Sequence, residues 1–245
     1  MKKIFLLLSF TILMIQSCSS GDETSSSSQG VLIKRTRDDD GSTCNYFYNG
    51  NKLLKTVWDD GTSRVITYTG NLITRSEIRD ASNTFNGEFD TMSYSNGKLI
   101  QYKNYYNNIL IYKDDITYNT DGTRTITETS YSDFDGSFQG ISQIKQYFDT
   151  NGNIIKNEYI NSDNTISSYE VYLYDTMNNP SKNITGWING TGTSEGLVNN
   201  IVKSTYVSGG STYITNYSYQ YNDLGYPISQ VSTNGSSSSS VQIFY

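Results

Sequence analysis

YFYNGNKLL, residues 46–54, decides the fold class of this chain. Tyr46, Phe47 and Tyr48 form a short aromatic strand, Asn49-Gly50-Asn51 carries turn chemistry, and Lys52-Leu53-Leu54 starts a return strand. Asn-Gly pairs favour positive φ and the tight turn whose twist matches flanking antiparallel strands. The unit recurs as MSYSNGKLI (92–100), YFDTNGNII (147–155), YLYDTMNNP (172–180) and YQYNDLGYP (219–227). With Tyr48, Tyr68, Tyr94, Tyr118, Phe148, Tyr174, Tyr221 and Tyr245 as anchors, the spacings are 20, 26, 24, 30, 26, 47 and 24 residues, so most intervals hold one two-stranded unit. The only two prolines, Pro180 and Pro227, each lie six residues after the anchor of their unit, which marks genuine repeats over chance composition.

Between the anchors the chain alternates apolar and polar residues, as in VITY (65–68), ILIY (109–112), ITY (116–118) and YIT (213–215), the pattern of half-buried strands. Ten of the 20 glycines directly follow Asn or Asp (Gly41, Gly50, Gly61, Gly87, Gly97, Gly122, Gly136, Gly152, Gly190 and Gly235), and each reads as a hairpin tip. The 47-residue interval contains GWINGTGTSEGLVNN (186–200), which breaks the alternation and reads as the longest loop, either an insertion or a degenerate extra copy. VQIFY (241–245) reads as a closing strand. Each unit buries its aromatic face only against neighbours. The expected fold is therefore all-β, a repeat-built antiparallel β-meander over residues 31–245, as an elongated curved sheet or a sandwich.

The first residues carry addressing signals. Lys2 and Lys3 precede an apolar run over 4–15 that is too short to span a bilayer as a helix, and Gln16-Ser17-Cys18 ends it. The arrangement resembles a bacterial lipoprotein signal, which implies a signal-peptide helix over 1–17 and lipidation of Cys18. SSGDETSSSSQG (19–30) then completes an 18–30 tether. Asp22 and Glu23 resemble the acidic export signal of surface lipoproteins. The implied location is the outer membrane, lipid-anchored at the cell surface, with the periplasmic face as the alternative.

Composition narrows the chemistry. With 18 Lys+Arg against 24 Asp+Glu, the chain has no basic footprint for nucleic acid. It contains no histidine, which excludes Ser-His-Asp and Cys-His catalysis and histidine-ligated zinc. No cofactor or metal and no enzymatic activity are expected. With Cys18 lipidated, Cys44 has no disulfide partner and reads as a small buried hydrophobe. Asp133, Asp135, Glu158 and Glu170 are nominal carboxylates for a glycosidase, but no spacing selects a pair. Asp38-Asp39-Asp40-Gly41 and Asp133-Phe134-Asp135-Gly136 faintly resemble calcium loops, lack the distal Glu, and read as solvated turns. Asp90-Thr91-Met92 and Asp175-Thr176-Met177 resemble O-glycosylation acceptors, each with an exposed threonine.

Aromatics dominate the apolar content: 22 Tyr and 9 Phe in a chain of 35% hydrophobic residues, which suits a thin or half-wet sheet. Trp58, Trp187, Tyr105 and Tyr106 fit the repeat alternation least well and are the candidate ligand contacts, Trp187 foremost because it lies in the glycine-rich loop. The expected function is a binding or adhesion module for glycan or a surface protein. The alternatives are a structural envelope spacer and a carboxylate-dependent glycoside hydrolase.

YFDTNGNII, YLYDTMNNPSK (172–182) and YQYNDLGYPISQ (219–230) resemble the YD repeats of RHS-type proteins: an aromatic pair, an acidic or amide residue, a turn, and an apolar residue or proline beyond. The resemblance covers residues 44–245. It implies β-sheet walls of the kind that, in large members, build a shell around a toxin. No separate toxin domain is expected here, so the resemblance implies β-meander architecture without that activity.

Overall fold

The computed structural model describes residues 30–187 and 198–245. Residues 1–29 lie outside it, and with them the expected signal peptide, Cys18 and most of the expected tether. Among the described residues are sixteen strands. The first eight are β1 Arg35–Asp38, β2 Thr43–Asn49, β3 Lys52–Trp58, β4 Ser63–Thr69, β5 Leu72–Arg79, β6 Phe85–Ser95, β7 Lys98–Tyr106 and β8 Ile109–Tyr118. The second eight are β9 Arg124–Tyr131, β10 Phe138–Phe148, β11 Ile154–Ile160, β12 Ile166–Tyr174, β13 Ile201–Ser208, β14 Ser211–Tyr221, β15 Pro227–Asn234 and β16 Ser237–Phe244.

Every strand pairs antiparallel with the next, and β1 pairs with β16 from Arg35 opposite Phe244 to Asp38 opposite Val241. The sheet is thus a closed barrel. This corrects the expected open sheet or sandwich, and with it the wall architecture implied by the YD-repeat resemblance. The cause lies in the repeat itself. A register shift falls immediately before Tyr48, Tyr68, Tyr94, Phe148, Tyr174 and Tyr221, six of the eight anchors. Bulges bend a strand and raise its twist, and repeating one in six of the hairpins helps coil the sheet until its two edges meet and no edge is left unpaired.

The anchor tyrosines also staple neighbouring hairpins. Tyr94 Oη donates to the carbonyl of Ile73 (2.7 Å), Tyr118 to Leu99 (3.1 Å), Tyr174 to Ile154 (2.6 Å) and Tyr245 to Pro227 (3.0 Å). In each case the acceptor opens the return strand of the preceding hairpin. The reach is similar in all four, with donor and acceptor 18 to 21 residues apart.

Nine of the ten Asn/Asp-Gly glycines have positive φ, and Gly190 lies outside the described residues. Gly87 departs from the expectation, because it sits inside β6 near a register shift and not at a tip. Many longer turns are closed by an acid. Asp60 Oδ1 accepts from the Thr62 backbone N–H (2.8 Å) and hydroxyl (2.7 Å), and Asp40, Asp121 and Asp163 do the same for Ser42, Thr123 and Thr165.

The 47-residue interval is an insertion. β12 ends at Tyr174, β13 starts at Ile201, and the part of the intervening chain that is described up to residue 187 crosses the mouth of the barrel. Asn178 N–H donates to the Gly225 carbonyl (3.0 Å), Asn183 Nδ2 reaches the Val31 carbonyl (2.9 Å) and Tyr226 Oη (2.7 Å), and Thr185 N–H donates to the Asn51 carbonyl across the opening (2.8 Å). Ile184 then plugs the lumen against Leu53, Ile66 and Ile73. Gly186 makes this route possible: at φ +75°, a Cβ there would stand 2.5 Å from the Asn71 carbonyl oxygen.

Candidate functional site

Cross-strand partners point to the same side of a sheet, so the register sorts the two walls. Arg124, Gln146, Asn157, Glu170, Tyr206 and Tyr213 are successive partners across β9 to β14, and Gln146 and Asn157 are almost wholly buried. This is the inner wall. Arg124 Nε donates to Gln146 Oε1 (2.8 Å), Gln146 Nε2 to Asn157 Oδ1 (3.0 Å), Asn157 Nδ2 to Tyr172 Oη (3.2 Å), and Tyr172 Oη to Glu170 (2.8 Å). A ring of sixteen strands encloses more room than its inward side chains fill, so a polar lumen is what this architecture affords.

A second group sits on β4 to β9. Asp90 accepts from Arg64 Nη1 (2.9 Å), Tyr102 Oη (2.6 Å) and Asn104 Nδ2 (2.8 Å), while Arg64 also donates to Ser76 (2.8 Å). Glu128 accepts from Tyr112 Oη (2.5 Å) and Ser142 Oγ (2.8 Å). Asp114 stands directly opposite Glu128 in the β8–β9 ladder and is 4% exposed. Burial pushes its carboxyl up to about 6, and the Glu128 and Asp115 charges act in the same direction, against a hydrogen bond from Tyr112. Burial and the neighbouring carboxylates also hold Tyr102 and Tyr112 well above the usual phenol range, so both remain donors.

These side chains converge on a cavity of about 370 Å³, whose walls include Arg64, Asp90, Tyr102, Asp114, Glu128 and Trp187. A second cavity of about 300 Å³ shares Arg64, Ile66 and Trp187 with it and reaches Cys44, Tyr46 and Trp58. Trp187 therefore stands where the two meet. At the mouth opposite the insertion, Tyr213 belongs to the inner wall yet is 54% exposed, and Phe134 and Phe138 are exposed beside that rim.

The outer wall is charged at mid-strand. Lys55, Lys103, Lys145 and Lys203 face outward, and ion pairs join residues two apart on one strand: Lys113–Asp115 (2.6 Å), Lys156–Glu158 (2.6 Å) and Arg75–Glu77 (3.2 Å). A Lys or Arg costs about 2–4 kcal/mol at the midplane on the lipid face of a membrane barrel. Charges so placed disfavour burial of these positions in lipid.

Of the aromatics singled out from the sequence, Trp58 and Trp187 meet at one cavity. Tyr105 instead lies on the outer wall, stacked on Phe89 (centroids 4.6 Å apart) with the Arg75 guanidinium 3.9 Å from the Phe89 ring. Tyr106 ends β7 with 43% exposure. The nominal carboxylates do not gather. Asp135 accepts from the Ser137 N–H of its own turn, Glu158 pairs with Lys156 outside, and only Glu170 faces the lumen. Thr91, expected in an exposed turn, is mid-strand opposite Lys103. Among the described residues no group of three His, Cys, Asp or Glu side chains is placed to hold a metal.

The lumenal acids were missed by sequence reasoning, although a signal existed. Asp114 and Glu128 keep the parity of the buried Ile116 and Ile126 two residues away, which places them on the core face.

No family model and no curated protein matches the sequence. Among solved structures the chain is similar to a porin-like protein from Bacteroides vulgatus ATCC 8482, with TM-score 0.59 and 14% identity over 87% of this chain and 98% of that one. It is also similar to a porin-like protein from Bacteroides uniformis ATCC 8492, with TM-score 0.54 and 13% identity over 86% and 97%. The shared feature is the fold. It replaces the RHS/YD-repeat assignment, since the recurrent hairpins close a sixteen-stranded barrel of this kind. The comparisons lend no support to a lipoprotein assignment either, and Cys18, on which that rested, lies outside the described residues.

Proposed function

We propose that this protein is a non-enzymatic barrel of the cell envelope that holds a small polar ligand, of saccharide type, in its lumen. The observation that carries the reading is the convergence of Arg64, Asp90, Tyr102, Asp114, Glu128 and Trp187 on one cavity of about 370 Å³. Ligand sites combine a concave wall with a few well-placed polar groups, and this cavity lies within the usual size range. Hydroxyl-rich ligands match a lining of carboxylates, phenols and amides, and an indole offers a face for stacking. The porin-like neighbours support an outer-membrane setting. The charged outer wall and the insertion laid across one mouth favour a receptacle in water over a pore through lipid.

Trp58 and Trp187 are the only tryptophans and both line the second cavity, so intrinsic fluorescence reports directly on the lumen. Titration with a panel of neutral and charged mono- and oligosaccharides is expected to give a saturable change with at least one of them, lost in Trp187→Ala. A panel that produces neither a fluorescence change nor heat by calorimetry overturns the reading.

A further inference from the structure

We propose that the lumen recognises a protonated amino group on its ligand, docked against the paired carboxylates of Asp114 and Glu128. The inference rests on the lumenal-ligand reading and names the chemistry of its strongest contact. Asp114 and Glu128 are direct cross-strand partners on the inner wall, which sets their Cβ atoms about 5 Å apart. Like charges so placed oppose each other. Both line the cavity, and no cation is paired with either among the described ion pairs.

The second observation is independent of the charge count. Asp114 Oδ1 is buried and has no hydrogen-bond partner among the described residues, on a side chain 4% exposed at the cavity wall. An orphaned acceptor in such a place is uncommon, because leaving it unpaired costs about 1–3 kcal/mol. The other charged and titratable groups around the cavity are already committed. Arg64 is bound to Asp90, Tyr102 donates to Asp90, and Tyr112 donates to Glu128 while its hydroxyl also neighbours the Asp114 carboxyl, leaving Oδ1 as the unpaired atom. The vacant acceptor is thus matched by a donor that brings its own positive charge. An ammonium fits, with three N–H donors in a compact head that can satisfy Asp114 Oδ1 and neutralise the pair together. Fewer than three carboxylates gather at this point, which sets it apart from a divalent-metal cage.

Isothermal titration of the intact protein with glucosamine, N-acetylglucosamine and glucose tests the idea. The expected result is at least tenfold tighter binding of glucosamine than of the two neutral sugars at pH 7.5, with that preference lost in Asp114→Asn and reduced in Glu128→Gln. Circular dichroism confirms that each variant is folded. The preference also declines between pH 7 and pH 5 as Asp114 takes up a proton. Equal affinity for all three sugars, or a preference that survives Asp114→Asn, overturns the amine inference and leaves the lumenal reading standing. Absence of binding by every sugar overturns both.

Discussion

Replacing Asp114 by Asn is expected to stabilise the protein, in a way that depends on pH. The carboxyl ordinarily titrates near 3.8 and in the barrel is pushed up to about 6 by burial. Because its folded-state value is the higher one, the folded protein binds this proton more tightly than the unfolded chain. Stability from this group therefore grows as pH falls from 7 towards 4 and is lost as pH rises through about 6. A displacement of about two units corresponds to about 3 kcal/mol of penalty on the ionised form at pH 7, shrinking below about 1 kcal/mol at pH 4. The amide carries no charge and escapes the penalty. Thermal unfolding without ligand should show Asp114→Asn melting about 6–12 °C above wild type at pH 7, given about 2–4 °C per kcal/mol for a chain of this size, and nearly level with it at pH 4. The gap should persist in 0.5 M salt, since a buried group is poorly screened. A variant less stable than wild type at pH 7, or a gap of the same size at both pH values, refutes the reasoning.

Tyr94→Phe removes the hydroxyl held by the Ile73 carbonyl and should lower stability by about 1 kcal/mol in urea titrations with an unchanged denaturant slope. Gly186→Ala forces a Cβ against the Asn71 carbonyl at a φ of +75° and should destabilise by about 1–3 kcal/mol, with an altered Trp187 emission spectrum. Cys44 is 9% exposed and burial raises its thiol, so a thiol reagent at pH 8 should label the native protein far more slowly than the urea-unfolded chain. Planar-bilayer recordings with the purified protein should show no conductance, because the outward lysines oppose insertion; stepwise currents would sink the receptacle reading.

Much of the fold was legible because hairpins are local. Alternation gave the strands, Asn-Gly and Asp-Gly gave most corners, and the anchor spacing gave the unit; VQIFY closes the ring within β16 as its pattern indicated. Closure itself was not legible. It depends on the summed bend of bulges at Tyr48, Tyr68, Tyr94 and their counterparts, and a one-residue register shift leaves no mark in composition. The candidate site was half legible. Trp58 and Trp187 stood out for breaking the repeat and do meet inside, whereas Tyr105 breaks it in order to stack outside. Asp90, Asp114 and Glu128 were hidden because a carboxylate in an alternating strand looks like a solvent-facing residue until the wall is known to be closed.

The seam between β1 and β16 sets the order in which the molecule can assemble. Along the sheet every other pairing joins strands adjacent in sequence, while Arg35 meets Phe244. Hairpins can zip from local encounters, leaving one long-range docking step whose loop-closure entropy must be met by four residue pairs. Until that docking happens, two unsatisfied strand edges remain open to neighbouring molecules. Conditions that weaken the four-residue β1 strand will therefore show first as self-association and only later as loss of β-structure.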